Sequence, residues 1–328
     1  MNKVTNFRNE VNVPVFDIDI DHNRPILSFG SCFSNEMHQL LMDSGFGAIY
    51  PYGTIYNPIT IADNLNRIFS NKPFKNSDLT IYNEEIWFSW FHSGKSFDVE
   101  SQNLLDKINN EQVAIYDKLI SKPLIIVTLG SSIVFSLKNS NTIVANCHKQ
   151  PSEFFDKKRL GINDVVDAWS PIINDLDADF IFAVSPVRHY RSGMVENNRS
   201  KSVLLLAVER LCNLYPSKAN YFPSYEIMMD ELRDYRFYGR DWVHPSEEAV
   251  SYIWDKFSQS LFSSSVLKVI NDVSNIKLRI NHKPNYGITS DHVKFLQKLK
   301  KDIVNIRGKT PLYNWSKEID KINQSINL

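Results

Sequence analysis

The sequence carries no excess charge of either sign: 37 Lys and Arg stand against 37 Asp and Glu in 328 residues. That balance excludes a nucleic-acid binder that relies on a strong overall positive field, and no nucleic-acid partner is expected. Cysteine is scarce, at three: Cys32, Cys147 and Cys212. An odd, widely spaced set forms neither a disulfide framework nor a CxxC metal knuckle, which suits a reducing compartment. Long apolar runs are missing too. Leu124–Val127 is typical of those present, against the roughly 20 residues a bilayer demands, so no membrane span is expected. The first residues are polar, without the apolar core and small-residue cleavage site of a secretory signal. A soluble, cytoplasmic protein is the expectation. At 43% hydrophobic and 12% aromatic residues, the chain is not disordered.

Several familiar motifs are also missing. There is no HExxH and no GxSxG. Gly45-Phe-Gly47 resembles the start of a dinucleotide fingerprint, but Tyr50 replaces its third glycine and a helix precedes it. Gly308-Lys309-Thr310 resembles the end of a phosphate loop, but Ile303 stands where the first glycine belongs. Nor is there an internal repeat at solenoid spacing.

What is there alternates. Short apolar runs at Ile26–Phe29, Ala48–Tyr50, Pro123–Gly130, Phe180–Val184 and Ala219–Phe222 read as buried strands, and Asn141–Ala145 as a further one. Between them lie helical patterns, from Asn35 to Asp43, from an Asn57 cap to Ile68, from a Ser101 cap to Leu119, from Asn163 to Leu176 and over Arg199–Leu211. Tyr225–Leu232 reads as a short helix, and Ser246 caps another that runs to Leu261. The pattern predicts an α/β fold with a mostly parallel sheet covered on both faces. An aromatic hairpin interrupts it at about 79–100. A helical, Lys-rich appendage follows at 263–328, and residues 1–23 form an N-terminal arm ahead of the 24–262 domain. Functional groups of such sheets gather beyond the carboxyl ends of the strands.

Three segments carry chemistry. Ser28-Phe29-Gly30-Ser31-Cys32 ends the first strand and places Cys32 near a helix N-terminus, where unpaired N–H groups and the dipole favour a thiolate. A small buried hydrophobe is the other reading of Cys32. In Asp241-Trp-Val-His244-Pro245-Ser246, Asp241 can reach the far ring nitrogen of His244 and orient it, as a triad requires; plain helix capping is the competing reading. Asn146 and His148, in a block after the 141–145 strand, and Ser132 and Gly53 are candidate oxyanion donors. Arg188, His189 and Lys201 are candidates for a phosphate or carboxylate. Tyr82, Trp87, Trp90 and Phe91 on the hairpin offer a stacking surface for sugars, or packing.

Phe29-Gly30-Ser31-Cys32-Phe33 resembles the signature of the GSCFA domain family. The resemblance continues through Tyr56-Asn57-Pro58, Asn146-Cys147-His148-Lys149, Val184-Ser185-Pro186-Val187-Arg188-His189, Ser200-Lys201, Tyr221-Phe222-Pro223-Ser224-Tyr225-Glu226 and Asp241 to Pro245. That family is similar to the SGNH/GDSL hydrolases, which implies a three-layer α/β/α flavodoxin-like domain with an early nucleophile and a late Asp-x-x-His block. The resemblance lays Cys32, rather than its neighbour Ser31, on the nucleophile, and Asp241 and His244 on the late block. Gly53 falls on the oxyanion glycine. Ser132 stands where the oxyanion asparagine belongs, leaving Asn57, Asn146 or His148 to supply that donor. The expected function is an O-acyl esterase acting on a carbohydrate or glycoconjugate, without metal or cofactor. The alternatives are an acyltransferase using coenzyme A or a sugar acceptor, and an inactive binding module.

Overall fold

A computed structural model describes residues 8–282 and 289–326. Its centre is a five-stranded sheet in which each paired strand runs parallel to its neighbour. The strands are β1 (Ile26–Gly30), β2 (Ala48–Ile49), β6 (Leu124–Leu129), β9 (Asp179–Val184) and β10 (Ala219–Phe222). The order β2-β1-β6-β9-β10 is that of the flavodoxin-type doubly wound sheet, with a switch point between β1 and β6.

Successive side chains of these strands leave opposite faces. Leu27, Phe29, Ile125, Val127, Phe180 and Phe182 enter one core, covered by α2 (Pro58–Phe69), α3 (Ser101–Leu119), α4 (Ile162–Asp175) and α5 (Met194–Leu214). Ile26, Leu124, Ile126 and Ile181 enter the other, covered by α1 (Cys32–Asp43) and α7 (Glu247–Leu261). With both faces covered, continuous apolar runs rather than alternation mark the strands. The arm ahead of β1 packs Phe16, Ile18 and Ile20 onto this second core. The buried Glu231 fixes it further, accepting from the Val11 amide at 2.9 Å and pairing with Lys256 at 2.9 Å.

The hairpin, β3 (Leu79–Tyr82) and β4 (Ile86–Ser89), carries a third strand, β5 (Phe97–Asp98). A second antiparallel pair, β7 (Ile133–Leu137) with β8 (Phe155–Arg159), flanks Asn141–Ala145, the segment expected as a strand, which forms none. Only Ile143 bridges there, to Ser136. β8 escapes the apolar pattern because four of its five residues, Asp156 to Arg159, are exposed. Ser101 does not cap α3; Glu100 holds that position without a side-chain bond. The stretch after β10 is a turn, α6 (Ser224–Glu226), running into a π-helical segment at Ile227–Glu231.

Helices α8 (Ser264–Ile280), α9 (Ser290–Arg307) and α10 (Ser316–Ile326) build a third core around Val273, Leu299, Ile303 and Trp315. The two glycine motifs rejected above meet here. A Cβ on Gly47 would run into the backbone of Leu312, and Gly45 lies against Val273 and the Thr310 methyl. They are the close-approach surface on which the helical region docks.

Candidate functional site

The site lies at the carboxyl edge of the sheet, beside the switch point. β1 ends at Gly30, whose φ of 132° and contact with the Thr128 carbonyl leave no room for a Cβ. The turn delivers Ser31 as the N-cap of α1 and Cys32 as its first residue. Tyr50 braces this turn, its hydroxyl 2.7 Å from the Gly30 carbonyl and 3.1 Å from that of Ser31. Ser31 does not cap the helix through its side chain. Its hydroxyl is buried and makes no hydrogen bond. The first amides of α1 are therefore left for another acceptor, and those of Phe33 and Cys32 favour the thiolate form of Cys32.

The second part is the loop before α7. Ser246 caps that helix by accepting from the Ala249 amide at 3.3 Å. The loop is closed by Gly239 N–H to the His244 carbonyl at 2.8 Å and Ser246 N–H to the Phe237 carbonyl at 2.7 Å. Arg188 N–H to the Val243 carbonyl, 3.3 Å, ties it to the end of β9. Asp241 Oδ1 accepts from the amides of Val243 and His244 at 2.9 and 3.0 Å, and Oδ2 lies 2.6 Å from His244 Nδ1. The His244 amide, its ring and the Val243 amide hold the Asp241 carboxyl down at about 2. The other ring nitrogen, Nε2, lies 3.1 Å from Cys32 Sγ. Thus Asp241, His244 and Cys32 form one hydrogen-bonded chain across 212 residues of sequence, and Ser31 takes no part in it. Capping alone does not account for Asp241, because one carboxylate serves both the loop and the ring.

Cys32 does not carry the lowered pKa that its helix position suggests. Burial pushes the thiol up, and the amides of Phe33 and Cys32 and the charge of Lys201 offset this only in part. Lys201 is the residue whose placement the sequence reading missed. It is 1% exposed, and Nζ donates to the Gly130 and Ser185 carbonyls at 2.7 Å each, joining the loops after β6 and β9. Burial pulls it down to about 7, and a thiolate at Cys32 opposes this. Its signal was present: Lys201 sits on the stripe of Leu204, Val208 and Leu211 in α5, an apolar position for a lysine. It is unavailable as a surface clamp for a ligand phosphate.

The other candidates do different work. Asn57 caps α2, accepting from Thr60 N–H at 2.8 Å and donating to the Val144 carbonyl at 3.1 Å. Ser132 is buried, its amide and hydroxyl 2.8 and 3.1 Å from Ser200 Oγ. Gly53, at φ 69°, packs against Ser93 of the hairpin segment. Asn146 accepts from the His148 amide at 2.7 Å, and the His148 ring stacks on Phe88 at 4.2 Å. With Ala145 N–H bonded to the Trp90 carbonyl at 2.8 Å, this block docks the hairpin. Trp90 packs edge-on to Phe88 and Phe155, and Trp87 and Phe91 lie on the main core. These hairpin rings are packing rather than a sugar platform. Arg188 covers the Tyr238 ring at 4.6 Å. His189 is near the site, its ring 5.3 Å from that of Tyr56, and burial pulls it down to about 4.

Among the described residues no cluster of His, Cys, Asp or Glu could hold a metal ion, and no helix is long and apolar enough to cross a membrane.

Comparison with curated proteins and with solved structures gives no match. Residues 273–328 match the family model described as the GSCFA domain protein, C-terminal domain. Residues 25–257 match the model of the GSCFA family. That match runs from the start of β1 into α7 and encloses the whole Cys32–His244–Asp241 chain, so the protein belongs to the GSCFA family.

Proposed function

We propose that the protein is an acyl-ester hydrolase with Cys32 as nucleophile, acting on acyl esters of a carbohydrate or glycoconjugate. The observation that carries this reading is the continuous contact Asp241 Oδ2–His244 Nδ1, 2.6 Å, and His244 Nε2–Cys32 Sγ, 3.1 Å. Nucleophile, base and orienting carboxylate within hydrogen-bond reach are what covalent catalysis needs. The resemblance to SGNH hydrolases, the parallel sheet and the site at its carboxyl edge support it.

Because burial raises the Cys32 thiol, Cys32 enters the reaction as the thiol. Attack is then base-assisted, as with a serine. Sγ bonds to the ester carbonyl carbon while His244 Nε2 takes the thiol proton, and Asp241 stabilises the imidazolium. The negative oxygen of the tetrahedral intermediate lies toward the first amides of α1, and the buried Lys201 charge favours negative charge at Cys32. Collapse breaks the C–O bond, the leaving alkoxide takes the proton from His244, and Cys32 carries a thioester. Water attacks the thioester, giving its proton to His244. The C–S bond breaks, and the thiolate recovers its proton. A sugar hydroxyl in place of water makes the same intermediate an acyltransferase, and the 50% exposure of the His244 side chain leaves room for such an acceptor.

The test is acetate release from p-nitrophenyl acetate and from O-acetylated sugars, with intact-mass detection of the acetyl-enzyme. The expected result is one acetyl group on Cys32 and no turnover by Cys32→Ala. Full activity of a folded Cys32→Ala protein overturns the proposal.

A further inference from the structure

Beside the His244 loop, a groove of about 370 Å³ is lined by Tyr235, Arg236, Tyr238, Gly239, Arg240 and Trp242. Its size falls at the small end of ligand pockets. Trp242 follows Asp241 directly, so the groove lies on the loop that carries the orienting carboxylate. Two large rings stand in the open here, Trp242 at 59% and Tyr235 at 64% exposure, edge-to-face at 5.8 Å and 78°. Trp242 holds a φ of 60°, a backbone state that a bulky residue rarely adopts, and the loop nonetheless presents its ring to solvent.

The chemistry of the lining selects a ligand. Crossed rings leave no parallel slot for a flat base, whereas one exposed indole face suits the C–H face of a sugar. Arg236 and Arg240 are exposed, and neither is in an ion pair among the described residues. The nearby carboxylates are engaged: Asp234 accepts from the Arg236 amide, and Asp241 holds the His244 loop and ring. Guanidinium groups without carboxylate partners beside an aromatic face fit a sugar that bears its own anion.

We propose that this groove binds an anionic sugar unit, its ring on Trp242 and its carboxylate, sulfate or phosphate on Arg236 and Arg240. The proposal rests on the acyl-ester reading only in making that unit part of the substrate whose ester reaches Cys32. It also moves the sugar platform from the hairpin, where the rings are packed, to the loop that carries the catalytic pair.

The test titrates full-length Cys32→Ala protein, which cannot turn over, with digalacturonate, galactose 6-sulfate and glucose 6-phosphate, each against its neutral counterpart. At least one charged sugar is expected to bind ten or more times more tightly than its neutral form, and the three arms identify the anion. Trp242→Ala weakens that sugar at least tenfold, and Arg236→Gln with Arg240→Gln brings it down to the neutral one. Equal binding of charged and neutral sugars, no binding of any charged sugar, or binding untouched by Trp242→Ala overturns the proposal. Acetylation of wild-type protein by p-nitrophenyl acetate, which carries no sugar, separately reads the acyl-ester reaction.

Discussion

His244 and His148 each sit in a loop with a neighbouring polar partner, in segments that look equally eligible as sequence. Their surroundings differ in every respect that matters for proton transfer. The His244 ring is half exposed, held at Nδ1 by the Asp241 carboxylate and facing a thiol through Nε2. His148 lies flat on Phe88 and edge-on to Trp90, and its Nε2 makes no hydrogen bond. Burial pulls His148 down to about 4, so it stays neutral. The same pairing recurs in the cysteines. Cys32 meets the unpaired amides of a helix start, whereas burial is the only resolved influence on Cys147 and raises it. A reactive side chain is thus defined by what faces it, and residue type with local spacing supplies only half of that definition.

Substitutions at the two loops separate these roles. Cys32→Ala should remove acetyl-enzyme formation altogether and lower turnover by roughly 10⁴-fold or more, with an unchanged fold by circular dichroism. His244→Ala should cost about 10²–10⁴-fold in kcat/KM. Asp241→Asn should follow within that range, because the amide can no longer stabilise the imidazolium. His148→Phe should leave kcat/KM within about twofold of wild type, since a ring of similar shape keeps the stack on Phe88. A comparable loss at both histidines would break the contrast.

A smaller effect sharpens the account of the thiol. Lys201 sits under the site with no carboxylate partner, so its charge should favour the Cys32 thiolate. Lys201→Met is expected to slow Cys32 alkylation by iodoacetamide roughly threefold to tenfold at pH 7 and to move its pH midpoint upward. In wild type that midpoint should already lie above that of a free cysteine, because burial outweighs the helix amides. An unshifted midpoint in the variant would remove Lys201 from the electrostatics of the site.

Acid stability tests the buried histidines separately. His92, His148 and His189 are held neutral by burial, at about 3, 4 and 4. Below pH about 6.5 the unfolded chain binds protons at these positions and the folded chain does not. The unfolding free energy therefore falls as pH drops from about 6.5 to about 4, by up to about 1.4 kcal/mol per pH unit for each histidine. His148→Phe should flatten that slope by about one histidine's share. Denaturant midpoints measured across this range check the sign.

The strands of the central sheet were legible because burial on both faces makes them continuous apolar runs. The Asn57 and Ser246 caps were legible because capping is a local interaction. The pairing of Cys32 with His244 was legible through the resemblance to the SGNH/GDSL hydrolases, whose early nucleophile and late Asp-x-x-His block agree with the order along this chain. What escaped was set by tertiary contact. Ser132 looked free until Ser200 met it. Gly45 and Gly47 had no evident role until Thr310 and Leu312 packed on them. The hairpin aromatics looked like a binding face until Phe155 and His148 covered them. Lys201 was visible as a polar break in an apolar stripe, but its two carbonyl partners come from loops far away in sequence.

The most direct measurement is intact mass spectrometry with peptide mapping on wild-type protein after brief exposure to p-nitrophenyl acetate. The account predicts a single acetyl adduct on Cys32, formed fast in wild type and lost in His244→Ala. An adduct on Ser31 or elsewhere, or none from folded protein, contradicts it.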